Sequence, residues 1–163
     1  MDATWIVSAN AGRARFFAQP KAIGPLQEVN DMVNNASRLR TSETETDDLG
    51  RRSASKSRHN VGAATPPSGY QPAQTPAEHS TELFARSVGG FLLQAHHQGK
   101  FRKLILVASP EYLGVLRKLL DPQLESAVRL EINKDYTQLG TKQLQERVEA
   151  HLAEAKIKAL PEA

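Results

Sequence analysis

Few folds accommodate the stretch Phe101–Lys118, FRKLILVASPEYLGVLRK. Leu104 to Ala108 is an unbroken aliphatic run, with charge before it and Ser-Pro after it. A run this short and this apolar reads as a strand buried on both faces. Ser109 is suited to cap a helix, with Pro110 at the first helical position and Glu111 in the first turn. Leu113, Leu116 and Leu120 follow at helical spacing. A buried strand feeding a capped helix is a parallel βα unit, so the stretch is expected to be a central strand of an α/β sheet.

The rest of the chain can be read around that unit. Thr4–Ala9 and Arg13–Ala18 are strand-like, and the turn signal Asn10-Ala11-Gly12 joins them as a hairpin. Leu26–Val33 is a third strand, with Leu26, Glu28 and Asn30 on one face and Gln27, Val29 and Asp31 on the other. Thr75-Pro76-Ala77-Glu78 is a capping box that opens a helix running to about Gln98. Leu83, Phe84, Val88, Phe91, Leu92 and Ala95 form its apolar stripe. Gly89-Gly90 within that stripe costs about 1 kcal/mol per residue against Ala, and close approach of the helix to the sheet is the expected compensation. Gly99 closes the helix. Asp121-Pro122 starts a short helical turn and Val128–Ile132 is a fifth strand. Asn133–Gly140 is a loop, and Thr141 caps a final helix with Leu144, Val148, Leu152 and Ala155 on one face.

The order β-β-β-α-β-α-β-α predicts an α/β domain with a five-stranded mixed sheet, of ribonuclease-H-like arrangement. The first three strands are antiparallel and the last two enter by right-handed helical crossovers. A chain of 163 residues fits one domain, 1–163. Within it, residues 36–75 read as a long mobile, disordered loop between strand 3 and the first helix. Large apolar residues there are few (Leu39, Leu49, Val61, Tyr70), too few to offset an ordering cost of about 1–2 kcal/mol per residue. The loop's charge is segregated. Thr41–Gly50 carries Glu43, Glu45, Asp47 and Asp48 and no base, whereas Arg51–Asn60 carries Arg51, Arg52, Lys56 and Arg58 and no acid.

Several chemistries are excluded or lack their motif. With no cysteine, disulfides, thiol catalysis and thiolate zinc sites are ruled out. No phosphate-binding Gly-rich loop, G-x-S-x-G or H-E-x-x-H is present. A two-metal nuclease needs clustered carboxylates at strand ends, and only Asp2 and Asp135 flank strands here. His96 and His97 point about 100° apart on a helix and suit its C-terminus better than a shared metal. His59, His79 and His151 read as isolated surface residues. No catalytic, cofactor or metal residue is therefore assigned. The opening MDATWIVSA is not expected to be a secretory signal, and no apolar run is long enough to cross a bilayer. The expectation is a cytoplasmic protein without membrane insertion. Net charge is only +3, with a pI near 9.3.

Two groups remain as candidates. Arg51, Arg52, Lys56 and Arg58, with His59, could track a phosphate backbone, or could be a solvated charge run paired with the acids before it. Lys134, Asp135 and Thr137, with Tyr136 between them, follow the last strand at the carboxyl end, where α/β sheets place ligands. Asp135 or Thr137 could equally hold that turn by bonding backbone amides. Arg13 and Arg15 read as hairpin charges, with the alternative that they line a sheet face.

Taken together, these residues resemble the bacterial host attachment protein family, named for a protein required for attachment to host cells. The resemblance is carried by Trp5-Ile6-Val7 and Ala14-Arg15-Phe16, by Asp48-Leu49-Gly50-Arg51 and Arg58-His59, and by Phe84-Ala85. It continues in Phe101 to Ala108, Pro110 to Arg117 and Lys134-Asp135-Tyr136-Thr137. The acidic segment Thr41–Asp48 is longer here, and Tyr136 stands where Leu is usual. The family in turn resembles the middle domain of archaeal and eukaryotic peptide-release factors. That resemblance implies a five-stranded α/β domain with a long loop before its first helix. The release-factor loop carries Gly-Gly-Gln; this chain has none, and Gly69-Tyr70-Gln71 is not given that role. Three readings follow. One is a non-enzymatic protein associated with ribosome or RNA, one an adaptor for other proteins that affects attachment indirectly, and one a metal-dependent hydrolase using Asp135.

Overall fold

The computed structural model describes residues 3–21, 23–37 and 74–159. Arg51, Arg52, Lys56, Arg58 and His59, like the rest of the charge-segregated stretch, lie outside the described residues. The elements are β1 (Thr4–Ala9), β2 (Arg13–Gln19), β3 (Gln27–Val33), α1 (Pro76–His97), β4 (Lys103–Ala108), α2 (Pro110–Leu119), α3 (Pro122–Ala127), β5 (Val128–Ile132) and α4 (Thr141–Ala159). They form a five-stranded mixed sheet in the order β3-β2-β1-β4-β5. β1 pairs antiparallel with β2 and parallel with β4; β2–β3 is antiparallel and β4–β5 parallel. This is the arrangement expected from the sequence.

β4 lies between β1 and β5, and Leu104 through Ala108 are all buried. The strand is covered on both sides because its side chains alternate between two apolar layers. Leu104, Leu106 and Ala108 face the layer under α1, α2 and α3, with Trp5, Val7, Phe16 and Phe101. Ile105 and Val107 face the layer under α4, with Ile6, Phe17, Ile132, Leu144 and Val148. The first layer holds the aromatic cluster: Trp5 lies 5.1 Å from Phe101, and Phe16 meets Phe91 edge-on at 4.7 Å.

Local signals act where the sequence put them. Thr75 Oγ1 accepts from the Glu78 amide, while Glu78 Oε2 accepts from the Thr75 amide, completing the capping box. Gly99, at φ 73°, ends α1. Its amide donates to the His96 carbonyl and the Lys100 amide to the Ala95 carbonyl, which is a Schellman closure. Asp121 Oδ1 caps α3 through the Gln123 amide.

Some expectations are corrected. Leu83 is 51% exposed and leaves the stripe, because α1 buries Ser80, Phe84, Ala85, Val88, Leu92 and Ala95. Close approach does not account for Gly89-Gly90. A Cβ on Gly90 would meet nothing within 4 Å, and one on Gly89 only Leu120 at 4.0 Å. Ser109 precedes α2 without a side-chain capping bond. The carbonyl that accepts the first α4 bond belongs to Gly140, not to Thr141. The two-faced alternation expected for β3 is broken by a bulge opposite Phe16/Phe17: Asn30 pairs with Phe16 and Glu28 with Phe17, leaving Val29 as the extra residue. His151 is half-buried, its ring 3.3 Å from the Tyr136 hydroxyl.

Candidate functional site

The carboxyl ends of β1, β4 and β5 carry the polar residues that the sequence left open. Asn10 stands at the tip of the β1–β2 hairpin. Its Oδ1 accepts from the Gly12 and Arg13 amides, both at 2.8 Å, which makes the turn an Asx type. Its Nδ2 then points across the sheet end to the loop after β5. There it donates to Asp135 Oδ2 at 2.9 Å and to Thr137 Oγ1 at 3.1 Å. Asp135 Oδ1 accepts from the Thr137 amide at 3.0 Å and hydroxyl at 2.7 Å. Asp135 thus holds the turn as one of its two readings required, and it also locks that turn to β1.

Partial burial works to raise the Asp135 carboxyl. The hydrogen bonds from Asn10 and from the Thr137 hydroxyl and amide outweigh it and hold the group below the usual carboxylate range. Thr137 is buried, whereas Lys134 is exposed and lies outside this network. Of the three candidates the structure therefore joins Asp135 and Thr137 and leaves Lys134 apart.

Arg15 is the residue that sequence reasoning undervalued. Its side chain is only 11% exposed. Nε and Nη2 donate to the two oxygens of Glu28 at 3.2 and 2.7 Å. Nη1 reaches the carbonyls of Thr137 and Leu139 at 3.1 and 2.5 Å, and the guanidinium lies over the Phe17 ring at 5.1 Å. The fork geometry of arginine makes this possible. It is a clamp between β2, β3 and the loop into α4, not a hairpin surface charge. Arg13 behaves more as expected: it pairs with Asp31 at 2.6 Å and is over a third exposed.

On the α1 side of the same end opens a crevice of about 580 Å³. Ala11, Gln74, Glu78, Ser109, Glu111 and Tyr112 are among the residues in its wall. The Tyr112 hydroxyl is buried with no partner among the described residues, and burial pushes it up. Glu78, Glu82 and Glu111 outnumber Lys118 in this wall, so its field disfavours an anion. Asn34, also buried, roots the hairpin tip. Its amide donates to the Gly12 carbonyl, and its Nδ2 to the Ala11 carbonyl and Ser80 Oγ.

No group of three or more His, Asp or Glu arranged to hold a metal occurs among the described residues. His96 and His97 do not converge: His97 Nε2 bonds Gln123 Oε1 at 2.9 Å, while the His96 ring packs on Phe101. No helix among the described residues is long and apolar enough to cross a membrane.

The fold and this sheet end define a small α/β domain of ribonuclease-H-like topology whose carboxyl edge is closed by hydrogen bonds. The family model described as "protein required for attachment to host cells" matches residues 5–148, and the chain belongs to that family. None of the curated proteins matches the chain. Similar solved structures include one titled "Archaeal protein" (12% identity, TM-score 0.41, covering 94% of this chain and 41% of that one). Others are an archaeal translation termination factor (11%, 0.46, 94% and 42%) and a Ppx/GppA phosphatase from Aquifex aeolicus (10%, 0.35, 81% and 35%). The chain thus spans about two fifths of the length of the first two.

Proposed function

We propose that this member of the host attachment family is a non-enzymatic, cytoplasmic binding protein. It associates with ribosome or RNA through Arg51, Arg52, Lys56 and Arg58, with His59 beside them. The observation that carries this reading is the charge segregation of the sequence: four bases without an acid in Arg51–Asn60, directly after four acids without a base. A block of unopposed bases is what contact with a phosphate backbone requires.

Two features of the fold support it. Ser37 and Gln74, the described residues on either side of the segment, both lie by the Ala11–Gly12 turn or its crevice. Both flanking residues therefore stand at the carboxyl end of the sheet. Asp135, the carboxylate at that end on which hydrolysis would depend, has both oxygens taken up by donors from its own chain.

The test is sedimentation of a cell lysate on sucrose gradients at low and moderate salt. The protein is expected to travel with ribosomal particles at low salt and to leave them as salt rises. The variant with Arg51, Arg52, Lys56 and Arg58 all changed to Glu is expected at the top of both gradients. Wild-type protein at the top of both gradients, or a variant that sediments like wild type, would overturn the proposal.

A further inference from the structure

The amino end of the sheet carries charge of a different kind. It is built chiefly from residues 18–27, which turn from β2 to β3, and residues 94–103, which lead from α1 into β4. Neither segment contains an Asp or Glu, and together they carry Lys21, Lys100, Arg102 and Lys103. All four are exposed. By contrast Arg13, Arg15, Arg86 and Arg117 each hold a carboxylate. None of the four amino-end cations makes a side-chain hydrogen bond or ion pair among the described residues. Carboxylates do stand around them: Asp2, outside the described residues, Asp121 and Glu125 in the segment before β5, and Glu149 on α4, which shares the Gln145 amide with the Gly24 carbonyl at 3.1 and 3.0 Å.

The backbone fixes where these charges stand. The Schellman closure at Gly99 turns Lys100 outward. Phe101 then inserts beside Trp5, and the Arg102 and Lys103 amides donate to the Ala3 carbonyl at 2.9 and 3.4 Å. Thr4 is in register with Lys103 on one side and with Gln19 on the other. Lys21 follows two residues after Gln19. Two strand spacings of about 4.8 Å therefore separate the β2 and β4 ends. The strand ends that carry the charges thus lie about 10 Å apart, close enough for one nucleic-acid backbone to meet both.

We infer that this amino-end row, Lys21, Lys100, Arg102 and Lys103, is a second surface for an RNA phosphate backbone, separate from the basic run at residues 51–58. It shares with the proposed function only the class of partner and does not depend on the loop. RNA suits it better than a lipid surface. Of the exposed large apolar side chains only Ile23 belongs to these segments, and one isoleucine is little apolar surface for anchoring in a bilayer. Polybasic membrane sites combine four to eight cations with further anchoring. No aromatic ring is exposed in the row, so the contact is to backbone phosphate and carries no base preference.

The test is fluorescence anisotropy of a labelled single-stranded RNA 20-mer titrated with the full chain from 50 to 300 mM salt. Two amino-end variants are used, Lys100→Glu/Arg102→Glu/Lys103→Glu and the milder all-Gln version, each checked by circular dichroism melting. Both are expected to weaken binding at least tenfold at low salt, with the loop left intact. Both are also expected to flatten the slope of log K against log salt by about 2, at about 0.7 per lost phosphate contact. If wild type binds and both variants bind with its affinity and slope, the inference fails while the ribosome or RNA reading stands. If wild type binds no RNA at any salt, both fail. Binding only to vesicles containing phosphatidylserine would likewise overturn the inference.

Discussion

At the carboxyl end of the sheet the polar groups of the β1–β2 turn and the loop after β5 are engaged with one another; at the amino end the cations of the α1–β4 turn are left to solvent. Both ends belong to the same strands. The difference is that the carboxyl end must hold a long crossing, from β5 past β4 to β1 and β2, before α4 can begin. A crossing loop exposes backbone carbonyls and amides that need partners, and Asn10, Asp135, Thr137 and Arg15 supply them. At the amino end the α1–β4 turn satisfies itself through the Gly99 closure and the Ala3 carbonyl, and the β2–β3 turn is held by the neutral amides of Gln19 and Gln145, so the cations there are spare. Engaged polar groups carry stability; spare ones are free for a partner.

That contrast can be broken most forcefully at Arg15. Arg15→Ala removes four donor contacts and leaves Glu28 without its fork, so chemical denaturation should report a loss of about 2–4 kcal/mol. Asp135→Asn is milder, about 1–2 kcal/mol, since the site is partly solvated and the new amide opposes the Asn10 amide. The Asp135 carboxyl is depressed in the fold. Its contribution is thus full above the unfolded carboxyl value of about 3.9 and fades as pH falls through the lower folded value. Melts of the two proteins should begin to converge as pH falls below about 4 and meet beneath the lower folded value; a gap unchanged across that range would deny the charge any role. Gly90→Ala, in the helix that spans both ends, should add about 1 kcal/mol because the new methyl meets nothing. A loss would mean the glycine serves a partner or a motion. Least affected is the amino-end triple variant, whose stability should stay within about 0.5 kcal/mol of wild type. A larger change would place those cations with the structural groups instead.

Much of this fold was legible in the sequence because its signals are local. The aliphatic run of β4, the capping box at Thr75 and the Gly99 stop each act within a few residues, and each stands where it was read. Leu83 misled because helical spacing sets a stripe but not its width. Gly89-Gly90 invited a packing reason that the surroundings do not supply. Asn10 was read as a turn former, and locally it is one. Nothing near it announces that its amide meets Asp135, 125 residues away. Arg15 is the same case: an arginine in a hairpin looks like surface charge until the bulge in β3 sets Glu28 opposite Phe17, within reach of Arg15, and the loop into α4 brings two carbonyls to it.

By itself the sequence determined the order and type of the elements and the five-stranded mixed sheet they compose, since periodicity, caps and turn residues work through the nearest turn of chain; the family followed from the resemblance of its motifs. Only the tertiary structure decided which charges are held and which are spare. Ion pairs and hydrogen bonds between distant segments depend on strand register and loop path, and a difference of one residue in either would give Arg15 to solvent and Asp135 to no one.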